Sequence, residues 1–230
     1  MPTPATSLAH LTDEITRCRL CPRLVAWREQ VAREKRSSFR DEEYWGRPVP
    51  GFGDPHARIL IVGLAPAAHG GNRTGRVFTG DRSGNWLFGA LHRAGLANRP
   101  ESVHADDGLE LHDAYIAAAV RCAPPANRPT PEERDTCMPY LVRELALLER
   151  VHVIVALGAF AYEATWRVLG RAGIELPRPR PRFAHGLEVA TPRATILGCF
   201  HPSQQNTFTG KLTQPMLDSV MTRACALADR

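Results

Sequence analysis

Arg58-Ile-Leu-Ile-Val-Gly-Leu-Ala-Pro66 is a short apolar run closed by glycine and proline. It is too short for a stable helix and partly β-branched, as a strand buried on both faces would be. Three further runs read the same way: Tyr115-Ile-Ala-Ala-Ala-Val-Arg121, Val151-His-Val-Ile-Val-Ala-Leu157 and Ala194-Thr-Ile-Leu-Gly-Cys-Phe200. Helical patterns alternate with them. Residues 7–36 read as one or two helices broken at Pro22, and residues 84–94, 131–150, 159–169 and 212–228 supply the rest. The helix over 131–150 has Thr130 as its cap, Pro131 in its first turn and Glu133 to close a capping box. On it Cys137, Leu141, Leu145 and Leu148 share one inward stripe. The alternation predicts an α/β fold, a three-layer sandwich with a central four-stranded parallel sheet and helices on both faces. At 230 residues, 43% of them hydrophobic, the chain suits one domain over 1–230. Residues 1–10 are expected to be flexible, and the Pro- and Arg-rich residues 171–182 to form a surface excursion.

No apolar run approaches the length of a membrane span, and residues 1–10 lack the basic-then-apolar pattern of a secretory signal. The expectation is a cytoplasmic protein with no membrane partner, in a compartment where thiols stay reduced. Its six cysteines then read as ligands or buried side chains. The net charge of +5 suits a polyanionic partner without proving one.

Cys18 and Cys21 form a CxxC; Cys122 and Cys137 follow about one hundred residues later, 15 apart. Four thiolates gathered by one fold can hold zinc or a [4Fe–4S] cluster. Zinc sites more often come as two close pairs, so the wide second pair, with Pro124 and Pro125 directly after Cys122, leans toward the cluster and leaves zinc open. The bland alternative is four buried cysteines without metal. Cys199, inside a strand, and Cys225, on the last helix, read as core.

Two loops follow strands, where open α/β sheets place their ligands. The first is Gly63-Leu-Ala-Pro-Ala-Ala-His-Gly-Gly-Asn-Arg-Thr-Gly75, leading to Phe78-Thr-Gly-Asp81. It is neither a Walker loop nor a dinucleotide fingerprint. Its glycines let backbone approach a ligand, and Phe78 and Asp81 would bring an aromatic face and a carboxylate to the same pocket. The second is His201-Pro-Ser-Gln-Gln-Asn206, whose histidine can donate to a developing negative charge and whose small polar residues suit a nucleic acid.

These segments, with Cys18-Arg-Leu-Cys-Pro-Arg-Leu24 and Arg121-Cys-Ala-Pro-Pro-Ala-Asn127, resemble the type 5 uracil-DNA glycosylases in order and over about residues 11–225. The resemblance implies a hydrolase of N-glycosidic bonds that excises uracil and other deaminated bases from DNA, a structural [4Fe–4S] cluster on Cys18, Cys21, Cys122 and Cys137, and action as a monomer. Ala65 stands where the best-known superfamily members carry Asp, and Leu64 where related iron–sulfur members carry Glu. Tyr115 to Val120 also lacks the Asn that many relatives use to read uracil. Both departures match type 5 and imply broad base selection. The competing reading is a non-catalytic iron–sulfur protein that binds nucleic acid.

On this reading His201 stabilises the departing base, Asp81 positions water or stabilises sugar charge, and Asn127 is the other candidate for handling water. Phe78 stacks on the flipped base, and Gly63, Leu64, Ala65, Ala68, His69 and Ser203 shape its pocket. Arg73, Gln204, Gln205 and Lys211 contact DNA, with Arg76 adding to the positive field.

Overall fold

A computed structural model describes residues 3–229. Met1 and Pro2, part of the segment expected to be flexible, lie outside the described residues. Residues 4–10 depart from that expectation, because they open helix α1 (Pro4–Arg17). Thr3 caps this helix by accepting from the Thr6 amide, and Leu8, Leu11 and Ile15 bury its inner face. The chain breaks at Cys18 and restarts at α2 (Pro22–Glu34), so Pro22 sits in a first turn, where its missing N–H costs nothing.

The four expected strands form, trimmed by up to three residues at an end. They are β2 (Ile59–Gly63), β3 (Ala114–Ala118), β4 (Val153–Leu157) and β6 (Thr195–Cys199), all parallel. Antiparallel edge strands flank them, β1 (Phe52–Gly53) beside β3 and β5 (Glu188–Ala190) beside β6. The sheet is therefore six-stranded, in the order β1-β3-β2-β4-β6-β5. Two- and three-residue strands carry no periodicity to read in advance.

Strand periodicity divides the core. Ile59 and Ile61 pack with Phe88 and Leu91 of α4 (Arg82–Arg93) and Leu217 and Met221 of α8 (Gln214–Ala228). Leu60 and Val62 face the other way, toward Leu141 and Leu145 of α5 (Pro131–Leu147) and Val168 of α6 (Ala159–Arg171). The capping box of α5 is present: Thr130 Oγ1 accepts from Glu133 N at 3.2 Å, and Glu133 accepts from Thr130 N at 2.8 Å. Glu133 also accepts a bidentate bond from Arg23, which ties the start of α2 to the start of α5.

The crossover from β2 leads to β3 on one side, while β4 lies on the other. That reversal opens a crevice at the carboxyl ends of β2 and β4. Both motif loops reach it. The backbone ladder runs on into the first, with Ala119 N donating to Gly63 O at 2.9 Å and Val120 N to Leu64 O at 3.0 Å. Each motif loop also contains a short helix that its glycine-rich or polar sequence did not announce, α3 (Gly71–Thr74) and α7 (Gln204–Phe208).

Candidate active site

At the crevice the ring of Phe78 lies against Gly63. A Cβ on Gly63 would sit 2.7 Å from the Phe78 ring, so only glycine leaves room. Phe78 itself has φ 51°, a left-handed conformation rare for a bulky residue and a store of local strain. His201 lies beside it, with ring centroids 5.8 Å apart and planes at 35°. His201 follows β6 directly and is held by Asn206, whose Nδ2 donates to the His201 carbonyl at 2.9 Å. Although part of the residue reaches solvent, desolvation of the ring pushes its pKa down to about 4. At neutral pH it is a neutral imidazole carrying one N–H donor.

Asp81 caps α4, with Oδ1 accepting from Gly84 N at 2.9 Å. Its other oxygen lies against Gly70, where a Cβ would come within 2.2 Å of Oδ2. Burial raises the Asp81 pKa, opposed by the amides of Gly84 and Ser83 and by the charge of Arg73. One carboxylate oxygen is thus committed to the helix, and the second faces the glycine turn.

The four expected cysteines line one cavity, together with Arg28, Arg121 and Tyr140. Cys18 ends α1, Cys21 caps α2, Cys122 follows β3 and Cys137 sits on α5. Among the described residues, no three or more His, Cys, Asp or Glu side chains are gathered tightly enough to hold a single metal ion. Burial pushes the Cys122 thiol up to about 11 and the Cys137 thiol to about 12, against the pull of Arg28 and Arg121 respectively. Donors nevertheless point at both sulfurs: Arg28 Nη1 lies 2.9 Å from Cys122 Sγ, and Arg121 N lies 3.3 Å from Cys137 Sγ. Arg28 Nε has no hydrogen-bond partner among the described residues. A buried guanidinium aimed at sulfur fits a thiolate-bound group and does not fit neutral thiols.

A sequence model of the uracil DNA glycosylase superfamily matches residues 50–224. A type-5 uracil-DNA glycosylase of Mycobacterium tuberculosis is 55% identical over 226 residues, 97% of this chain and 83% of that protein. The type-5 protein of Thermus thermophilus is 54% identical over 93% of this chain and 95% of its own. A type-4 uracil-DNA glycosylase of Pyrobaculum aerophilum is 30% identical over 70% of this chain and 74% of its own. The chain belongs to the uracil-DNA glycosylase superfamily, in its type-5 branch.

For this glycosylase fold the remaining expected residues divide. Leu64, Ala65 and Ala68 line the turn after β2 half-buried, and His69 Nδ1 pairs with the Tyr44 hydroxyl at 3.0 Å. Ser203 caps α7, while Gln204, Gln205 and Lys211 are exposed. Asn127 is exposed on a left-handed turn with φ 54° and makes no side-chain hydrogen bond among the described residues. Asp81 is thus held within the glycine loop, and Asn127 stands on the exposed turn after β3.

Arg73 was expected to contact DNA and Arg76 to add to the positive field. Both are buried. Arg73 binds Glu42 and donates to the carbonyls of His69 at 2.9 Å and Gly80 at 3.0 Å. Arg76 binds Asp107 at 2.7 Å, Ser102 Oγ at 2.8 Å and Thr79 Oγ1 at 2.9 Å. These guanidiniums hold the loop together and are not offered to a DNA backbone.

Sequence reasoning also missed Tyr44, Glu42 and Arg28. The first two lie between recognisable elements, and Arg28 reads as an ordinary helix charge. It missed Arg82 as well, whose guanidinium lies 4.0 Å over the exposed ring of Phe208 beside the second loop.

Proposed function

We propose that this chain removes uracil, and other deaminated bases, from DNA and leaves an abasic site. The observation that carries the reading is the pairing of Phe78 with a desolvated, neutral His201 at the switch point of the sheet. A base inside a duplex is out of reach, so the nucleotide is flipped into the crevice. Phe78 stacks on it, an interaction of about 1–3 kcal/mol. The bond from C1′ to the base nitrogen breaks, and its electron pair leaves with the base. The N–H of neutral His201 donates to that developing anion, a contribution of about 2.7–4 kcal/mol. The Asp81 oxygen beside Gly70 orients water toward C1′ and takes up its proton.

Base selection is broad on this reading. Tyr115 to Val120 carries no amide side chain to read one base edge, and Ala118 pairs with Gly63 across the ladder where the first motif loop begins. Introducing Asn at Ala118 narrows the range toward uracil. A wild-type protein acting on uracil alone, and not on hypoxanthine, would contradict it.

The four cysteines hold a [4Fe–4S] cluster, supported by their shared cavity and by the sulfur-directed donors. When bound, the cluster is a structural crosslink between the α1–α2 turn, the end of β3 and α5. Anaerobically purified protein should be brown and hold about four irons per chain. Cys137→Ala should lose iron and solubility together, and stoichiometric zinc in place of iron would overturn the assignment.

The decisive experiment incubates the protein with duplexes that each carry one uracil or hypoxanthine, then heats them in alkali. Cleavage at the lesion supports the reading; intact strands that the protein nevertheless binds would make it a binding protein. The enzyme acts as a monomer, so one chain per DNA is expected by light scattering.

A further inference from the structure

Two arginines are buried beside the four-cysteine cavity, and their surroundings differ. Arg121 is held by Glu144, with Nη1 donating to Oε1 at 3.0 Å and Nη2 to Oε2, and both residues are 1% exposed. Arg28 is 2% exposed, yet among the described residues no carboxylate lies within hydrogen-bonding distance of it. Glu29 Oε1 stands 3.9 Å from Nη2 and is bonded to Arg19. Arg28 instead donates to Cys122 Sγ at 2.9 Å and to the Cys18 carbonyl at 3.2 Å. A buried cation whose nearest carboxylate stands 3.9 Å away and is shared with Arg19 is only partly compensated, and an uncompensated buried charge is costly by several kcal/mol. The same residue also reaches the first motif loop. Its carbonyl accepts from Asn72 Nδ2 at 3.2 Å, and Asn72 is fully buried in α3, between the Gly70 turn against Asp81 and the Arg73 clamp on Gly80.

We propose that Arg28 is a positioning residue joining the two centres: its guanidinium neutralises the thiolate-bound group at Cys122, and its carbonyl fixes the helix that seats Asp81. This role rests on the iron–sulfur reading of the cysteines. A cation at the sulfur favours the more negative, reduced form of the bound group. Its loss should lower the reduction potential and weaken iron retention.

The test compares wild type, Arg28→Met and Arg28→Lys as purified holoproteins. Dye-mediated reduction with dithionite reads the potential, and release to ferrozine reads iron retention. Arg28→Met should shift the potential downward and weaken iron binding by about 10–100-fold, the usual cost of losing an outer partner. Arg28→Lys keeps the charge and should fall between, which preserves the test if Arg28→Met does not fold. Asn72→Ala should keep iron and potential at wild-type values while slowing single-turnover base release several-fold at unchanged DNA affinity. A wild-type protein without iron would overturn the cluster reading and this role with it. Iron in wild type with an unshifted potential in both Arg28 variants would overturn the role of Arg28 alone. A wild-type rate in Asn72→Ala would overturn the link to Asp81.

Discussion

The two motif loops meet at one edge of the sheet and are built in opposite ways. The first, from Gly63 to Asp81, is clamped from outside: Arg73 and Arg76 are buried and bonded to Glu42 and Asp107. The second, from His201 to Lys211, is anchored mainly by Ser203 and Asn206 and leaves Gln204, Gln205, Phe208 and Lys211 exposed. Charge on the first loop is structural, and charge on the second is available to a polyanion. On the proposed reading, a rigid wall opposite an open lip would let a flipped base be gripped on one side while backbone phosphates are met on the other.

Arg76→Met should break this contrast most severely. It strands Asp107, whose carboxyl is pushed up by burial but held well below the usual range by Arg76 and the amides of Val103, Leu109 and His104. Breaking a buried pair costs about 3–5 kcal/mol, read from urea denaturation, whereas Lys211→Met should stay within about 0.5 kcal/mol. Equal losses in the two variants would erase the distinction. A depressed folded-state pKa gives stability that is fully present above 3.8 and lost as pH falls below it, and Arg76→Met should remove that part of the acid sensitivity.

His201→Ala comes next. Folding and iron content should persist while single-turnover excision falls roughly a hundredfold, the cost of one anion-directed donor. Because burial lowers the His201 pKa, the imidazole stays neutral until pH falls to about 4, so the rate should show no inflection at 6.5. A limb at 6.5 would mean that the ring is solvated.

Asp81→Asn should cost a similar or smaller factor. Asn caps a helix as well as Asp does, so this change removes the charge and keeps α4. If it is silent while Asn127→Ala is crippled, water handling belongs to the exposed turn after β3. The smallest effect is expected of Lys211→Ala: weaker binding to all sequences alike, with the salt slope reduced by about one. A sequence-dependent loss would give the open lip a role in reading bases.

Much of this was legible in advance. The four parallel strands, the break at Pro22, the capped helix carrying Cys137 and the order of the motif segments all depend on neighbours along the chain, where periodicity and spacing are written. The edge strands were too short to leave a period. The fate of the arginines was not legible at all. Arg73 meets Glu42 and Arg76 meets Asp107 across 31 residues each, and Arg28 meets Cys122 across 94. The sequence by itself determined the layers, the cysteine set and the family motifs. Only the tertiary structure decided which cations face water, why the His201 pKa is lowered and which oxygen of Asp81 faces the glycine turn, because desolvation and pairing arise where distant segments pack together.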